Sequence, residues 1–285
     1  MPGAVHRELR NVKHVGRWAA LGAALMILMP VATAQAAAPN LVPHRAVYDI
    51  SLKSAEERSG IDGAQGRMVI EFLGSGCEGW TINFRMINQF FLSGGKSRVL
   101  DSRSSMWESG GNDQLRYVQS QYVDSRLQEE KELKAQVKDG QAGGAITKPA
   151  PEAFTLPDGV IFPVNHQLKL VQAAMDGKTR DEALLYDGSD GANPAIAITF
   201  IGTEKPPAEE ASGGKFAGVG GQPSWPVTIS YYKPNKQEQE TPDYQINMRL
   251  YQNGISGDMT LNYSDFSLNA SLADLEVFDQ AECKQ

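Results

Sequence analysis

The sequence is poor in the residues from which active sites are most often built. It has two cysteines and four histidines in 285 residues, and aromatics make up 8%. There is no C-x-x-C pair, which excludes a thioredoxin-like redox motif. H-E-x-x-H, G-x-S-x-G and P-loop patterns are also absent. Apart from one segment near the start, no apolar run approaches the length of a membrane span.

That segment has three parts. Arg7, Arg10, Lys13 and Arg17 form a basic front end, and an apolar run of about 14 residues follows from Trp18 to Val31. Ala34-Gln35-Ala36 then supplies small residues in A-x-A spacing. Basic region, short apolar region and small-residue exit make a cleavable secretory signal over residues 1–36. The rival reading is a membrane anchor, but the run is short of the roughly 20 residues a spanning helix needs. No cysteine lies near the cleavage site, so lipidation there is excluded. The expected product is a free periplasmic protein of about 249 residues, with no transmembrane anchor after cleavage.

Cleavage removes four basic residues and one acidic residue, moving the net charge from −7 to about −10. Such a balance argues against nucleic acid and anionic membrane surfaces as partners. The oligomeric state is not legible.

In an oxidising compartment, Cys77 and Cys283 most simply form one structural disulfide; two free buried thiols are the alternative. A bridge would close a loop of about 207 residues and bring the chain ends together. Loop entropy gives an upper estimate of roughly 5 kcal/mol for it.

The mature sequence reads as strands. Segments 46–52, 67–72, 80–91, 97–107, 115–123 and 131–137 alternate in polarity and are separated by Gly and Asn-Asp turns. Further strands are expected at 182–186, 195–201, 227–232, 244–252 and 258–266, with an extended stretch at 275–278. This spacing predicts an antiparallel meander, not βαβ units. One amphipathic helix is expected over residues 165–176. Asn165 is its predicted cap, Leu168, Val171 and Met175 its apolar stripe, and Gly177 its stop. The stretch 202–223, rich in Gly, Pro, Glu and Ser, reads as a mobile loop within a single domain, residues 37–285.

Candidate chemistry is thin. The mature chain keeps only His44 and His166, each more simply a packed or solvent-facing histidine than a catalytic one. Asp101, Glu108, Asp124 and Glu182 lie in or near strands and could in principle supply a glycosidase-like pair, but spacing selects none. Glu129-Glu130-Lys131-Glu132 reads as a solvated sheet edge. Trp80, Phe84 and Phe90 share parity on one strand, with Trp107 and Trp225 elsewhere. Their plain reading is core; the sharper one is an apolar groove, which Met86, Met106 and Met248 would suit. No catalytic, metal or cofactor site is expected.

Longer segments carry a resemblance. Val42-Pro43-His44-Arg45-Ala46-Val47-Tyr48-Asp49 opens the mature domain, followed by Ile61-Asp62-Gly63-Ala64-Gln65-Gly66-Arg67-Met68 and Gly76-Cys77-Glu78-Gly79-Trp80. Leu156-Pro157-Asp158-Gly159-Val160-Ile161-Phe162-Pro163 and a cysteine near the C-terminus complete the pattern. Together these resemble the envelope-integrity protein B (EipB-like) family of alphaproteobacterial periplasmic proteins. The resemblance implies an all-β fold: one antiparallel sheet curled into a β-spiral or open barrel, with a helix at its concave side. It further implies that Cys77 bonds to Cys283. The implied role is non-enzymatic maintenance of the cell envelope, with a protein, lipoprotein or lipid-like partner. An envelope-acting hydrolase using paired carboxylates is the alternative.

Overall fold

The computed structural model describes residues 39–207, 216, 218–234 and 241–280. The expected signal segment and Cys283 lie outside the described residues. Among the described residues, fifteen strands form one sheet. Seven long or medium strands come first: β1 (His44–Ala55), β2 (Ile61–Ser75), β3 (Gly79–Leu92), β4 (Lys96–Glu108), β5 (Gln114–Val123), β6 (Arg126–Lys138) and β7 (Gln141–Lys148). Short strands β8 (Glu152–Leu156) and β9 (Val160–Ile161) precede the helix α1 (Pro163–Met175). The return half comprises β10 (Arg180–Leu185), β11 (Ala195–Ile201), β12 (Ser224–Tyr232), β13 (Tyr244–Tyr251), β14 (Ser256–Asn262) and β15 (Phe266–Val277).

The spatial order runs β8 to β1, then β15 to β9. The chain therefore enters mid-sheet, meanders to one edge, passes to the other edge and meanders back to pair β15 with β1. The two edges, β8 and β9, are joined by only Pro157-Asp158-Gly159. Three residues bridge at most ~14 Å, so the sheet must curl until its edges approach. Among the described residues the result is one nearly closed, barrel-like, mainly antiparallel sheet with a single α-helix, as the resemblance implies.

Two features depart from the sequence reading. β7, β8 and β9 were not expected as strands. β9 and β10 pair in parallel, with α1 as the crossover between them; a parallel pair needs such a connection because its strands run the same way. The acidic run at 129–132 lies where β6 outruns β7: only Glu132 pairs with β7, so Glu129, Glu130 and Lys131 form a local edge beside β5, as expected. Its side chains alternate between the two faces. Glu130 and Glu132 pair with Lys148 on one face at 2.8 and 3.9 Å. Lys131 points to the other face, donating to the Ser189 carbonyl.

Three apolar clusters fill the concave side. One holds the buried face of α1 (Val164, Leu170, Val171, Ala173, Ala174) against Phe72, Trp80, Trp225 and Leu250. Leu168 and Met175 flank that face and are only partly buried, so the stripe is centred one position off the expected one. Trp80 opens β3, and Phe72 lies near the end of β2, its hairpin partner. The helix thus plugs one end of the barrel. Gly177 adopts φ 71° and ends the helix as expected; its N–H donates to Ala174 and that of Lys178 to Ala173. The described parts of the 202–223 stretch are held to the sheet. Gly202 donates to Pro226, Lys205 bridges Ser224, and Val219 is buried.

Candidate functional site: the concave face

The sequence puts the helix cap in the wrong place, and the reason is chemical. α1 begins at Pro163, with Phe162 in the cap position and no side-chain cap of its own. Asn165 sits inside the first turn and caps nothing. Glu108, fully buried at the end of β4, accepts from the Val164 N–H at 2.8 Å and the Asn165 N–H at 3.1 Å. A carboxylate on the exposed N–H groups at a helix start satisfies both their hydrogen bonding and the helix dipole. Burial nevertheless pushes the Glu108 carboxyl up to about 7, against the two backbone hydrogen bonds that favour its charge. Glu108 is thus a structural acid that ties the sheet to the helix.

The other candidate acids are equally committed. Asp101 is held by Arg103 and Arg85 at 2.7 and 3.0 Å, and the hydrogen bond from Arg103 leads in lowering it to about 2. Asp124 accepts from the Val99 N–H and pairs with Arg98 at 2.6 Å. Glu182 pairs with Arg180 at 3.0 Å on the surface. None of these contacts brings two of the four together.

Both histidines are packed. His44 places Nδ1 2.7 Å from the Val42 carbonyl and stacks on Phe72, which stacks on Trp80. His166 is buried on α1, its Nε2 has no partner, and burial lowers it to about 4. Among the described residues no group of three metal-ligating side chains occurs. Cys77 lies in the β2–β3 turn.

The aromatics divide. Trp80 and Trp225 belong to the core under α1, and Trp107 carries Arg116 over its ring at 5.0 Å. Phe84 and Phe90 line the cluster around buried Met68 and Met86, where many rings are only partly buried. Met106 is buried in the third cluster, and Met248 is partly buried between the other two. Phe90 closes β3, at the end away from the helix. It begins a row of rings that sequence parity alone did not assemble. Phe90 meets Phe266 at 5.6 Å, Phe266 meets Tyr263 at 4.6 Å, Tyr263 meets Tyr244 at 5.0 Å, and Tyr244 meets Tyr231 at 5.9 Å. β1 and β2 lie between the strands of Phe90 and Phe266. These two rings meet only because the sheet curls strongly at this end.

Polar side chains from β3–β6 share the concave face. Paired residues face the same side of a sheet, so the register places Asn88, Ser102, Ser104, Gln119 and Gln121 on the concave face with Met86 and Phe84. Lys131 and Glu129 follow on β6. Tyr117 donates to Gln119 at 3.2 Å, and Asn88 is buried with its Oδ1 unpartnered. The concave face therefore carries α1 at one end and, towards the other, a row of aromatic rings from β3 and β12–β15 and a set of polar side chains from β3–β6. Such a surface can receive a molecule that is itself apolar on one side and polar on the other.

Comparison with known proteins agrees with this architecture. A sequence profile described as EipB-like matches residues 35–279. The cell envelope integrity protein EipB of Brucella abortus (strain 2308) is 37% identical over 256 residues, covering 89% of this chain and 90% of that protein. A crystal structure of a beta-barrel-like protein with a domain of unknown function (DUF1849), also from Brucella abortus, superposes with a TM-score of 0.79 at 37% identity, over 85% of this chain and 100% of that one. With the profile spanning nearly all of the chain beyond residue 34, and a relative matching across its own length, this chain belongs to the EipB-like family.

Proposed function

We propose that the protein is a non-enzymatic periplasmic factor that maintains cell-envelope integrity by holding a lipid-like group, free or carried on a lipoprotein, on the concave face away from α1. The name of the Brucella relative supports the envelope role. The observation that carries the binding reading is the amphipathic concave face away from α1. Phe90, Tyr231, Tyr244, Tyr263 and Phe266 offer apolar surface, and Ser102, Ser104, Gln119 and Gln121 offer hydrogen bonds. Half-buried rings in a concave surface are the usual lining of sites for apolar ligands. The commitment of Asp101, Glu108, Asp124 and Glu182 to arginines or backbone N–H groups supports a role without acid–base chemistry.

Native extraction followed by mass spectrometry tests this reading. A recurrent lipid or lipoprotein is expected with the wild-type protein and is expected to be lost from a Phe90→Asp, Tyr263→Asp double variant that keeps its β-sheet circular dichroism. Repeated recovery of wild-type protein with no lipid-bearing molecule would overturn it.

A further inference from the structure

The convex face is divided into two chemically different halves. Across β1 to β7 it is studded with ion pairs: Arg67 with Asp49, Arg85 and Arg103 with Asp101, and Lys148 with Glu130. This is the ordinary solvated surface of a sheet. Across β12 to β15 the pattern changes. One register row runs Thr228, Asn247, Thr260, Asn269 and continues to Ser51 on β1. The next runs Ser230, Gln245, Asn262, Ser267. These rows alternate with the apolar residues of the concave face, so they point outward. Arg249 and Asp258 interrupt them with charge near the rim, neither in an ion pair among the described residues, and Lys53 of β1 reaches the first row to donate to Thr260 at 3.4 Å.

This half also carries a cleft of about 760 Å³. Asn247, Arg249, Asp258, Thr260, Asn269 and Ser271 line it, and Tyr251 with Phe216 and Val219 of the β11–β12 connection forms an apolar rim. The lining is under-used. Asn247 accepts from Thr228 at 2.8 Å, leaving its amide N–H groups uncommitted, while the Asn269 side chain and the Arg249 guanidinium have no hydrogen bond among the described residues. Asp258 accepts from the Leu272 N–H at 2.8 Å and keeps its second oxygen.

We infer that this cleft binds an uncharged, N-acetylated glycan segment. The argument is complementarity. Amides and hydroxyls are both donors and acceptors, as are sugar hydroxyls and acetamido groups. A surface on which amides and hydroxyls outnumber the charged groups fits a ligand without charge. One equatorially linked sugar advances by about the distance between neighbouring strands, ~4.8 Å, so successive sugars can meet the side chains of successive strands along one row. A peptide is the poorer fit, because the strands beneath are interior to the sheet. Their backbone groups are already paired and cannot accept an added strand. The site lies on the convex side and does not depend on the lipid reading of the concave one.

The test uses the mature protein and tetra-N-acetylchitotetraose, followed by calorimetry or NMR shift mapping. Binding is expected to shift resonances on β12–β15. It is expected to weaken about tenfold or more in an Asn247→Ala, Asn269→Ala double variant, consistent with loss of two or more net hydrogen bonds. Arg249→Ala separates the rim from the row and is expected to weaken binding less. Ser120→Ala, on the charged half, is expected to leave it unchanged. The fully deacetylated tetramer, which carries amine charge and lacks the acetamido groups, is expected to bind more weakly. An unaltered melting temperature shows that the variants are folded. Failure of the acetylated tetramer to bind, equal binding by the double variant, or shifts confined to the concave face would overturn the inference. So would binding of only the peptide portion of solubilised cell wall.

Discussion

Glu108, which reaches from β4 to the start of α1, and His166, buried on α1, respond to pH in opposite directions. Glu108 titrates higher in the folded protein than in the unfolded chain, at about 7 against 4.5, chiefly through burial. Its contribution to stability is full below pH 4.5 and is lost as pH rises through 7. His166 is lowered from 6.5 to about 4, again chiefly by burial, so its contribution is present above 6.5 and lost as pH falls through 4. Each displacement corresponds to at most about 3 kcal/mol. Between pH 4.5 and 6.5 the two slopes cancel in part, and His44, also lowered, adds to the histidine side. Removing one partner is expected to unmask the other. Glu108→Gln should leave stability rising with pH from 4 to 6.5, and His166→Leu should leave it falling from 4.5 to 7. Urea midpoints across this range check the signs, and identical slopes in all three proteins would refute the assignment. Glu108→Ala orphans both N–H groups and is expected to cost about 1–3 kcal/mol at any pH.

At the scale of elements, most of the long strands were legible because their alternation survives in the sequence. Where it does not, the elements were missed. β7 carries Gly143-Gly144, whose positions leave no room for a side chain: a Cβ on Gly144 would lie 2.1 Å from the Lys134 carbonyl. β9 has two residues, and its existence depends on a parallel partner 24 positions later. The helix was found, but its cap was not. The absence of Ser, Thr, Asp or Asn before Pro163 was the available sign that the cap comes from elsewhere. The aromatic row is spread over four segments, and only the curl unites it. The polar rows on the convex face were visible as Gln245-x-Asn247, Thr260-x-Asn262 and Ser267-x-Asn269-x-Ser271, though their alignment needed the register. The pairing of β2 with β3 has its own constraint. A Cβ on Gly66 would sit 2.2 Å from both Asn88 Oδ1 and the Ile87 carbonyl. Gly66→Ala must therefore push the strands apart and is expected to cost about 2 kcal/mol or more. Gly76→Ala meets nothing within 4 Å and is expected to be near neutral. Melting temperatures of the two variants make the comparison.

At the scale of the molecule, the first and last strands are brought together by the sheet itself. β1 pairs with β15 along nearly its whole length, and the Phe278 N–H donates to the Pro43 carbonyl at 2.8 Å. The proposed Cys77–Cys283 bond would reinforce this seam from the residues just beyond it. Cys77→Ser and Cys283→Ser are expected to lower the melting temperature by similar amounts, and the double variant little further, because one bond is broken in every case. Two reactive thiols in oxidised, denatured wild-type protein would refute the bond.

The place where the chain enters the sheet also sets a timetable. A chain synthesised from its N-terminus delivers β1 first and β15 last, yet these two strands are partners. Until the end of the chain arrives, β1 can pair on one side only, and it must wait with an open edge while the other thirteen strands emerge. Open edges recruit other chains. The order of emergence, not the final architecture, is what exposes this protein. A circular permutant makes the point measurable. Joining residue 278 to residue 43 through a short linker and opening the chain at Asp158 gives a sheet in which every pair is sequential. That variant is expected to refold faster and aggregate less than the natural order, at similar equilibrium stability, because its pairings close short loops in place of one that spans the chain.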